Sequence, residues 1–559
     1  METNFSPEFL RALEDKYLQS HKRARSAFYQ QTANMLLTPA QMREMERRDL
    51  EESGVASIDL MERAARALTD ALLQRFGADR TIFFACGPGG NGGDGLAAAR
   101  LYQEAGGRAA FALCGEVKSP DAVENLRRAR EAGVRELSVD SRERPDVWVD
   151  ALFGTGLSRA PSGAAAALIR RMIEDRLRHG SKVVAVDIPS GLSGLSGRGF
   201  PSAHDDTEHP GVCVHADVTL ALRYAKTGHY LNDGLDVCGE VRTANIDIRP
   251  TQAWREFLDA TGRNYLFDAP QDFMPQYPRN THKGERGHVL VVAGSVGMAG
   301  AAALCAGAAL RSGAGLVTVA CPASIVPILQ VLEPCAMCVP MPEKDGALAA
   351  EAADILWELR DGKRIVAGPG LSRRCAPQVL EALLAPKDGR PASLVLDADA
   401  LNILAEHREL LAMASLSCVL TPHPGEARRL LGRELTDPVS DARALAALGD
   451  ELGCKVVLKG ASRVVCEGAP LNGRAQPVFI STTGGPGMAK GGSGDVFAGL
   501  LAGLRCCEWC NIAAACEVHG LAGALAEEKY GDTAMTSRNI LEMLPEAFRR
   551  LAARRAEQP

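Results

Sequence analysis

Hydrophobic positions begin to recur at helical spacing from Thr38 onward. TPAQMREMERRDLEESG, opened by Thr38 as a capping residue, and SIDLMERAARALTDALLQRF both carry apolar residues three and four apart, the signature of amphipathic helices. Short apolar runs then alternate with helical patterns. TIFFAC, RAAFALC, DVWVDALFG, SKVVAVDIPSG and ADVTLALR read as strands, with GLAAARLYQEAG, DAVENLRRAREAG and SGAAAALIRRMIEDRLR as the helices between the first four. A strand–helix–strand series returns each strand in the same direction, so it implies a mostly parallel sheet covered by helices on both faces. Between Pro250 and Pro278 the periodicity weakens and Pro, Asp and Gln gather, which places a linker at residues 251–262. A second series follows, with GHVLVVAGS, LVTVACP, RIVAGPG, SLVLDADAL, CVLTPHPGE and KVVL as strands and AAALCAGAALRSGAG as a helix. The expected fold is α/β in two three-layer αβα domains, 34–250 and 263–559, preceded over 1–33 by a charged, helix-like extension without glycine.

Composition narrows the function. The chain has 559 residues, 46% of them hydrophobic and 24% charged, as befits packed globular domains. A net charge of −6 implies no broad basic face, which argues against nucleic acid as a partner. An anionic small molecule is still accommodated, because backbone N–H groups hold phosphate without net positive charge. No apolar run approaches the roughly 20 residues of a membrane-spanning helix. The first twenty residues lack the apolar core of a secretory signal and carry Glu2, Glu8, Glu14 and Asp15, so no membrane association and a cytoplasmic location are expected. The Cys335/Cys338 and Cys507/Cys510 pairs are too far apart in sequence for a compact zinc module, and the 16 cysteines are read as buried thiols of a reducing compartment.

Ligands of open parallel sheets collect at the carboxyl ends of strands, and there this sequence concentrates glycine and aspartate. In the N-terminal half TIFFAC runs into Gly87-Pro88-Gly89-Gly90-Asn91-Gly92-Gly93-Asp94-Gly95 and then a helix. Gly87, Gly89 and Gly92 satisfy G-x-G-x-x-G in a strand–turn–helix context, which leaves a nicotinamide-linked dehydrogenase open as an alternative. Two further strands end in Asp150-Ala151-Leu152-Phe153-Gly154-Thr155-Gly156 and Asp187-Ile188-Pro189-Ser190-Gly191. In a parallel sheet these ends face one crevice, where Asn91, Asp150 and Ser190 offer hard oxygen ligands suited to an alkali or alkaline-earth cation rather than zinc.

The C-terminal half carries Gly484-Gly485-Pro486-Gly487-Met488-Ala489-Lys490-Gly491-Gly492-Ser493-Gly494-Asp495 directly before the apolar helix VFAGLLAGL. Exposed N–H groups of consecutive glycines, with the positive end of a helix dipole, form an anion hole for phosphate. It is not a Walker A loop, because no G-x-x-x-x-G-K-[ST] is present. Asp495 stands where a base would accept a hydroxyl proton during phosphoryl transfer. Gly368-Pro369-Gly370, Asp397-Ala398-Asp399, Thr421-Pro422-His423-Pro424-Gly425-Glu426 and Lys459-Gly460-Ala461-Ser462 mark the neighbouring strand ends.

With those motifs in view, residues 36–250 resemble the NAD(P)H-hydrate epimerase family through GPGGNGGDGLAAAR, VDALFGTG, VDIPSGL and ADVTLALRYAKTG. The resemblance implies a Rossmann-like domain that contacts the hydrated nucleotide through Gly90, Asn91, Gly92, Gly93 and Asp94, and through Gly154, Thr155, Gly156, Leu157, Ser158, Arg159 and Ala160. It implies potassium at Asn91, Asp150 and Ser190, Asp187 at the hydrated ring, and Lys226 as its catalytic partner. The family usually has Asn where this chain has Gly90, and no role is carried onto SGLSGRG after Ser190. Residues 276–550, with HKGERGHVLVVAGS, resemble the ADP-dependent NAD(P)H-hydrate dehydratase family, which has a ribokinase-like fold. This implies hydrate contacts at Ala301, Gly370, His423, Pro424, Gly425, Glu426, Ala427, Arg428, Arg429 and Asp495. It implies ADP contacts at Lys459, Gly460, Ala461, Ser462 and Arg463, and at Pro486, Gly487, Met488, Ala489, Lys490, Gly491, Gly492, Ser493 and Gly494, with Asp495 as catalytic base. Met298, Lys490 and Arg463 depart from the residues usual at those positions.

The expected protein is therefore a bifunctional cofactor-repair enzyme, an isomerase and a lyase. It would interconvert the R and S forms of NADH and NADPH hydrate (NADHX and NADPHX), then dehydrate the S form with ADP as co-substrate, giving AMP and phosphate. K+ in the first domain, Mg2+ in the second and a homo-oligomeric state complete the expectation. Two alternatives stand beside it: a ribokinase-like small-molecule kinase with an appended nucleotide-binding domain, and a non-catalytic N-terminal module.

Overall fold

The computed structural model describes residues 34–200, 212–267, 278–389, 392–505 and 512–556. The extension expected over 1–33 and the pair Cys507/Cys510 lie outside the described residues. The chain divides into two compact units, one spanning Met35–Asn264 and the other running on from Tyr265.

The N-terminal unit is built on strands β1 (Thr81–Cys86), β2 (Arg108–Leu113), β3 (Arg135–Leu137), β4 (Val147–Ala151), β5 (Lys182–Val186), β6 (Val218–Leu222) and β7 (Glu240–Ala244). They lie in the order β3-β2-β1-β4-β5-β6-β7, every described pair parallel. Side chains alternate between the faces with the strand period of two. Ile82, Phe84 and Cys86 pack with Phe111 and Val149 against helices α2 (Ser57–Phe76) and α3 (Gly90–Glu104). Phe83, Ala85 and Trp148 pack on the other face against α5 (Gly163–His179). Helices α1 (Pro39–Ser53) and α4 (Pro120–Glu131) complete the expected set, and Thr38 caps α1 through a reciprocal pair of hydrogen bonds with Gln41. Because β1 pairs with β2 on one side and β4 on the other, connections leave its carboxyl end in opposite directions, opening a crevice there.

Residues 251–262, expected as linker, form instead helix α6 (Gln252–Thr261), capped by Thr251. Its buried Trp254 and Leu258 give it one apolar face. Gln41 of α1 donates to Thr261 and to the Gly262 carbonyl, and Trp254 stacks on Tyr224. The segment therefore belongs to the N-terminal unit, which ends at Asn264. Its polar composition hid a helix with only one narrow buried face.

The C-terminal unit carries β8 (His288–Val292), β9 (Leu316–Pro322), β10 (Met337–Met341), β11 (Arg364–Ala367), β12 (Leu394–Leu396), β13 (Cys418–Leu420), β14 (Lys455–Leu458), β15 (Arg463–Cys466) and β16 (Val478–Ser481). Their order is β16-β15-β14-β13-β12-β11-β8-β9-β10. From β10 to β14 the pairs are parallel, whereas β15 runs antiparallel to both β14 and β16. The connection from Leu458 to Arg463 is too short for a crossover helix, so it can only reverse the chain. The switch in connection direction here falls between β8 and β11.

Helices α7 (Ala299–Arg311) and α9 (Ser493–Gly503) meet through small residues: a Cβ on Gly499 would lie 2.0 Å from the Cys305 carbonyl oxygen. That approach fixes the start of α9, and with it the glycine loop, over the sheet. Cys335 is exposed and Cys338 half-buried, contrary to the expectation of buried thiols, because Cys335 precedes the edge strand β10 and Cys338 lies in it. No helix among the described residues is long and apolar enough to cross a membrane.

Candidate active sites

At the carboxyl ends of β1, β4 and β5 the glycines settle the local backbone. A Cβ on Gly87 would fall 1.7 Å from the Leu152 carbonyl oxygen, and one on Gly92 would fall 1.9 Å from the Gly87 carbonyl oxygen. Gly89 and Gly90 have open space around them, so packing demands two of the three G-x-G-x-x-G glycines, Gly87 and Gly92, and not Gly89. Gly90 and Asn91 open α3, and the Gly154–Ala160 loop lies beside them: a Cβ on Gly154 would be 3.6 Å from the Asn91 amide.

Asp150 is fully buried. Its carboxylate accepts from Ser190 Oγ at 2.6 Å, Ser190 N at 2.7 Å and Leu152 N at 3.2 Å. Burial pushes its pKa up to about 6, against the pull of those hydrogen bonds. Asn91 Nδ2 is buried without a partner. The Asn91 nitrogen is a donor and does not bear on a cation, whereas a buried carboxylate receiving only neutral donors carries a charge that a monovalent cation would balance.

Asp187 ends β5 with φ at +66°, a backbone region costly for a residue with a Cβ. Three contacts hold it there. Leu222 N donates to Asp187 Oδ1 at 3.0 Å, the buried Lys226 ammonium pairs with the same oxygen, and His229 Nε2 reaches the Asp187 carbonyl at 2.9 Å. His229 Nδ1 accepts from Lys226 N at 3.2 Å, so the ring proton sits on Nε2. Burial and then the charge of Lys226 lower the His229 pKa to about 4, leaving the ring neutral. His229 completes this arrangement and was not singled out by sequence, where a lone histidine in KTGHY carries no signal.

In the C-terminal unit the strand ends converge in the same way. Gly370 adopts φ +62°, and a Cβ there would meet Ala301 and Met298 at 3.0 Å, which brings two of the expected hydrate contacts together. Asp397 at the end of β12 is buried. It accepts from Thr421 Oγ1 at 2.8 Å and Lys459 Nζ at 2.6 Å. Gly494 joins them: its Cβ position lies 3.3 Å from Lys459 Nζ and 3.4 Å from Asp397 Oδ2. Asp495, one residue on, has its pKa pushed up to about 6 by burial and then by Asp397, with Lys459 opposing. Burial alone would lower the Lys459 pKa, but Asp397 and Glu426 carry it above its ordinary value. Glu426 is buried in the first turn of α8 (Pro424–Leu431), where it receives the His423 N–H at 2.9 Å and burial lifts it to about 7. Asp397 was visible in sequence only as a strand end; its partners lie 24 and 62 residues away.

Other expected contacts are placed differently. Ala427 is buried and Arg428 pairs outward with Glu434, while Arg429 donates to Asn402. The Gly487 N–H is already taken by Glu527, and Lys490 donates to the Thr533 carbonyl at 2.6 Å. The Arg463 guanidinium turns inward to the Thr483 carbonyl and His519 Nδ1, each at 2.9 Å. His519 in turn reaches the Ser493 carbonyl at 3.1 Å. Arg463 thus braces the glycine loop from behind.

A Rossmann-ordered sheet with a carboxylate–lysine pair in its crevice, fused to a second α/β unit whose glycine loop runs into the half-buried Asp495, defines a two-site enzyme of nucleotide chemistry. Residues 57–228 match the family described as YjeF-related protein N-terminus, and residues 289–546 match the NAD(P)H-hydrate dehydratase family. The bifunctional NAD(P)H-hydrate repair enzyme Nnr of Moorella thermoacetica is 36% identical over 537 residues, covering 92% of this chain and 97% of its own. The enzymes of the same description from Thermofilum pendens and Coxiella burnetii are 34% and 33% identical, over 91% and 90% of this chain and 95% and 97% of theirs. The chain belongs to the bifunctional NAD(P)H-hydrate repair enzyme family.

Proposed function

We propose that this chain repairs hydrated nicotinamide cofactor in two steps, interconverting the epimers of NAD(P)H hydrate in its N-terminal unit and dehydrating the S epimer with ADP in its C-terminal unit. The observation that carries the reading is that each unit has its own buried carboxylate–lysine pair at the carboxyl ends of its strands, Asp187–Lys226 and Asp397–Lys459. The family description supplies the substrate.

In the N-terminal unit Gly90–Asp94 and Gly154–Ala160 bind the nucleotide, and Asp187 contacts the hydrated ring with its carboxylate held by Lys226. Asn91, Asp150 and Ser190 would hold potassium, whose charge would balance the buried Asp150 carboxylate. In the C-terminal unit Ala301, Gly370, His423 and Glu426 surround the hydrate. Asp495 takes the proton of its hydroxyl as the β-phosphoryl group of ADP is transferred, the resulting phosphate leaves with the C–O electron pair, and the iminium left behind loses the proton of the neighbouring ring carbon to water, which restores the ring double bond. The start of α9 and Lys459 face the phosphates. The described residues contain no trio of His, Cys, Asp or Glu able to cage a metal, so Mg2+ would ride on the nucleotide phosphates. The substrates are small molecules, and the expected location is the cytoplasm.

The test supplies both epimers of NADPH hydrate with ADP and follows the return of dihydronicotinamide absorbance. Complete recovery is expected. A plateau at the S fraction removes the epimerase, and no recovery removes the dehydratase.

A further inference from the structure

Helix α1 presents a stripe formed by positions 39, 42, 46 and 49, spaced three and four apart on one face. Pro39, Met42 and Asp49 are buried, and the fourth position is Glu46. The outward carboxylates Glu44 and Glu51 are paired with Arg47 and Arg48. No donor among the described residues reaches Glu46 within hydrogen-bond distance.

The helix is seated against the epimerase crevice at its start. Leu37 N donates to the Ala225 carbonyl at 3.0 Å and Thr227 N to the Leu37 carbonyl at 3.1 Å, which straddles Lys226. Pro39 and Thr155 both flank Gly194, at 3.0 and 3.5 Å from its Cβ position. The charged groups facing Glu46 are Arg43 on its own helix, Asp94 from α3, and Asp187 and Lys226 from the ends of β5 and β6, with neutral His229 behind them. Glu46 and Asp187 therefore share the lysine ammonium, and Asp94 adds a third carboxyl acting on both of them. Full ionisation would leave uncompensated negative charge out of water, so the cluster retains a proton.

We propose that Glu46 is a further catalytic residue of the epimerase, the acid that protonates the ring nitrogen of the hydrate while Asp187 takes the hydroxyl proton. This rests on the assignment of Asp187 and Lys226 to that centre. Water adds to an enamine at the carbon bonded to nitrogen, so the hydrate is a carbinolamine. As Asp187 removes the hydroxyl proton, the C–O bond becomes a carbonyl. The C–N electron pair passes to nitrogen, which receives its proton from Glu46. The ring opens to an aldehyde and a neutral amine. Rotation about the bond to the aldehyde carbon presents its other face. Closure then reverses both transfers, with Glu46 regaining the nitrogen proton and Asp187 returning its own to oxygen. Nothing is oxidised and no co-reactant is consumed. Glu46, kept protonated by burial, beside the lysine-paired Asp187 gives the acid–base pair such chemistry requires.

The experiment uses the full chain and follows R-to-S interconversion of NADPH hydrate without nucleotide, with ADP-dependent dehydration of the S epimer as control. Glu46→Gln is expected to slow interconversion about 100-fold or more and leave dehydration unchanged. Burial and then Asp187 lift the Glu46 pKa to about 7, so wild-type interconversion should fall as pH rises through that value. Glu46→Gln should lack that alkaline limb. Glu46→Asp, which keeps the acid, should recover part of the rate with the limb present, and it carries the test if the glutamine variant does not fold. Glu46→Gln interconverting at the wild-type rate, or keeping the alkaline limb, overturns the inference. Asp187→Asn separates the two claims. If it is inactive while Glu46→Gln is active, only the role of Glu46 fails; if both are active, the centre itself is misplaced.

Discussion

Lys459 donates to Asp397 at 2.6 Å, and the two side chains close around Gly494, one residue before the proposed base. The ammonium is shared electrostatically among Asp397, Glu426 and Asp495. It thus orients a carboxylate, favours ionisation of Asp495 and faces the glycine loop at once.

A pH profile exposes that arrangement. Asp495 must be ionised to accept a proton, and its pKa stands at about 6, so ADP-dependent dehydration should fall as pH drops through that value. Lys459 lowers the Asp495 pKa. Lys459→Met should therefore move the acid limb to higher pH as well as weaken ADP binding. Rates at saturating S epimer across the pH range check this; an unmoved limb would remove Lys459 from the electrostatics of the base.

Asp495→Asn should lower dehydration by about 10²-fold or more while leaving epimerisation intact, since the base is lost and the other unit is untouched. The two activities measured on one preparation decide the matter, because loss of both would indicate misfolding rather than chemistry.

The glycine loop of the N-terminal unit offers a contrast between two neighbouring positions. Gly90→Asn should be tolerated without loss of thermal stability, since no atom lies within 4 Å of its Cβ position, and it should lower KM for the hydrate by adding a side-chain contact. Gly92→Ala would drive a methyl to 1.9 Å from the Gly87 carbonyl, at a cost of about 1–3 kcal/mol from overpacking. Denaturant unfolding and epimerase kinetics of both variants make the comparison.

Epimerisation should rise when choline chloride is replaced by potassium chloride at constant ionic strength. Asp150→Asn should abolish the increase, because the buried negative charge that the cation neutralises is gone. A potassium response that survives the substitution would place the ion elsewhere.

Much of the architecture was readable in the chain. The alternation of apolar runs with helical periods announced both α/β units, since a parallel sheet cannot be built without crossover helices. The glycine and aspartate clusters marked the strand ends, because only glycine permits the close approaches found at Gly87, Gly92 and Gly370. Local patterns fell short where a helix has a single narrow buried face. That is why residues 251–262 read as linker, and why no local signal separates Glu46 from Glu44, Glu51 and Glu52.

What the sequence by itself determined is the order of elements and the residue types at each strand end, because backbone geometry and hydrophobic period act over a few residues. What only the tertiary structure decided is which charges meet. Asp187 finds Lys226 across 39 positions and Asp397 finds Lys459 across 62, while Glu46 is carried to the first pair by a helix more than a hundred residues upstream. Those meetings fix the protonation states, since burial and neighbouring charge are properties of the folded surroundings and not of any local segment.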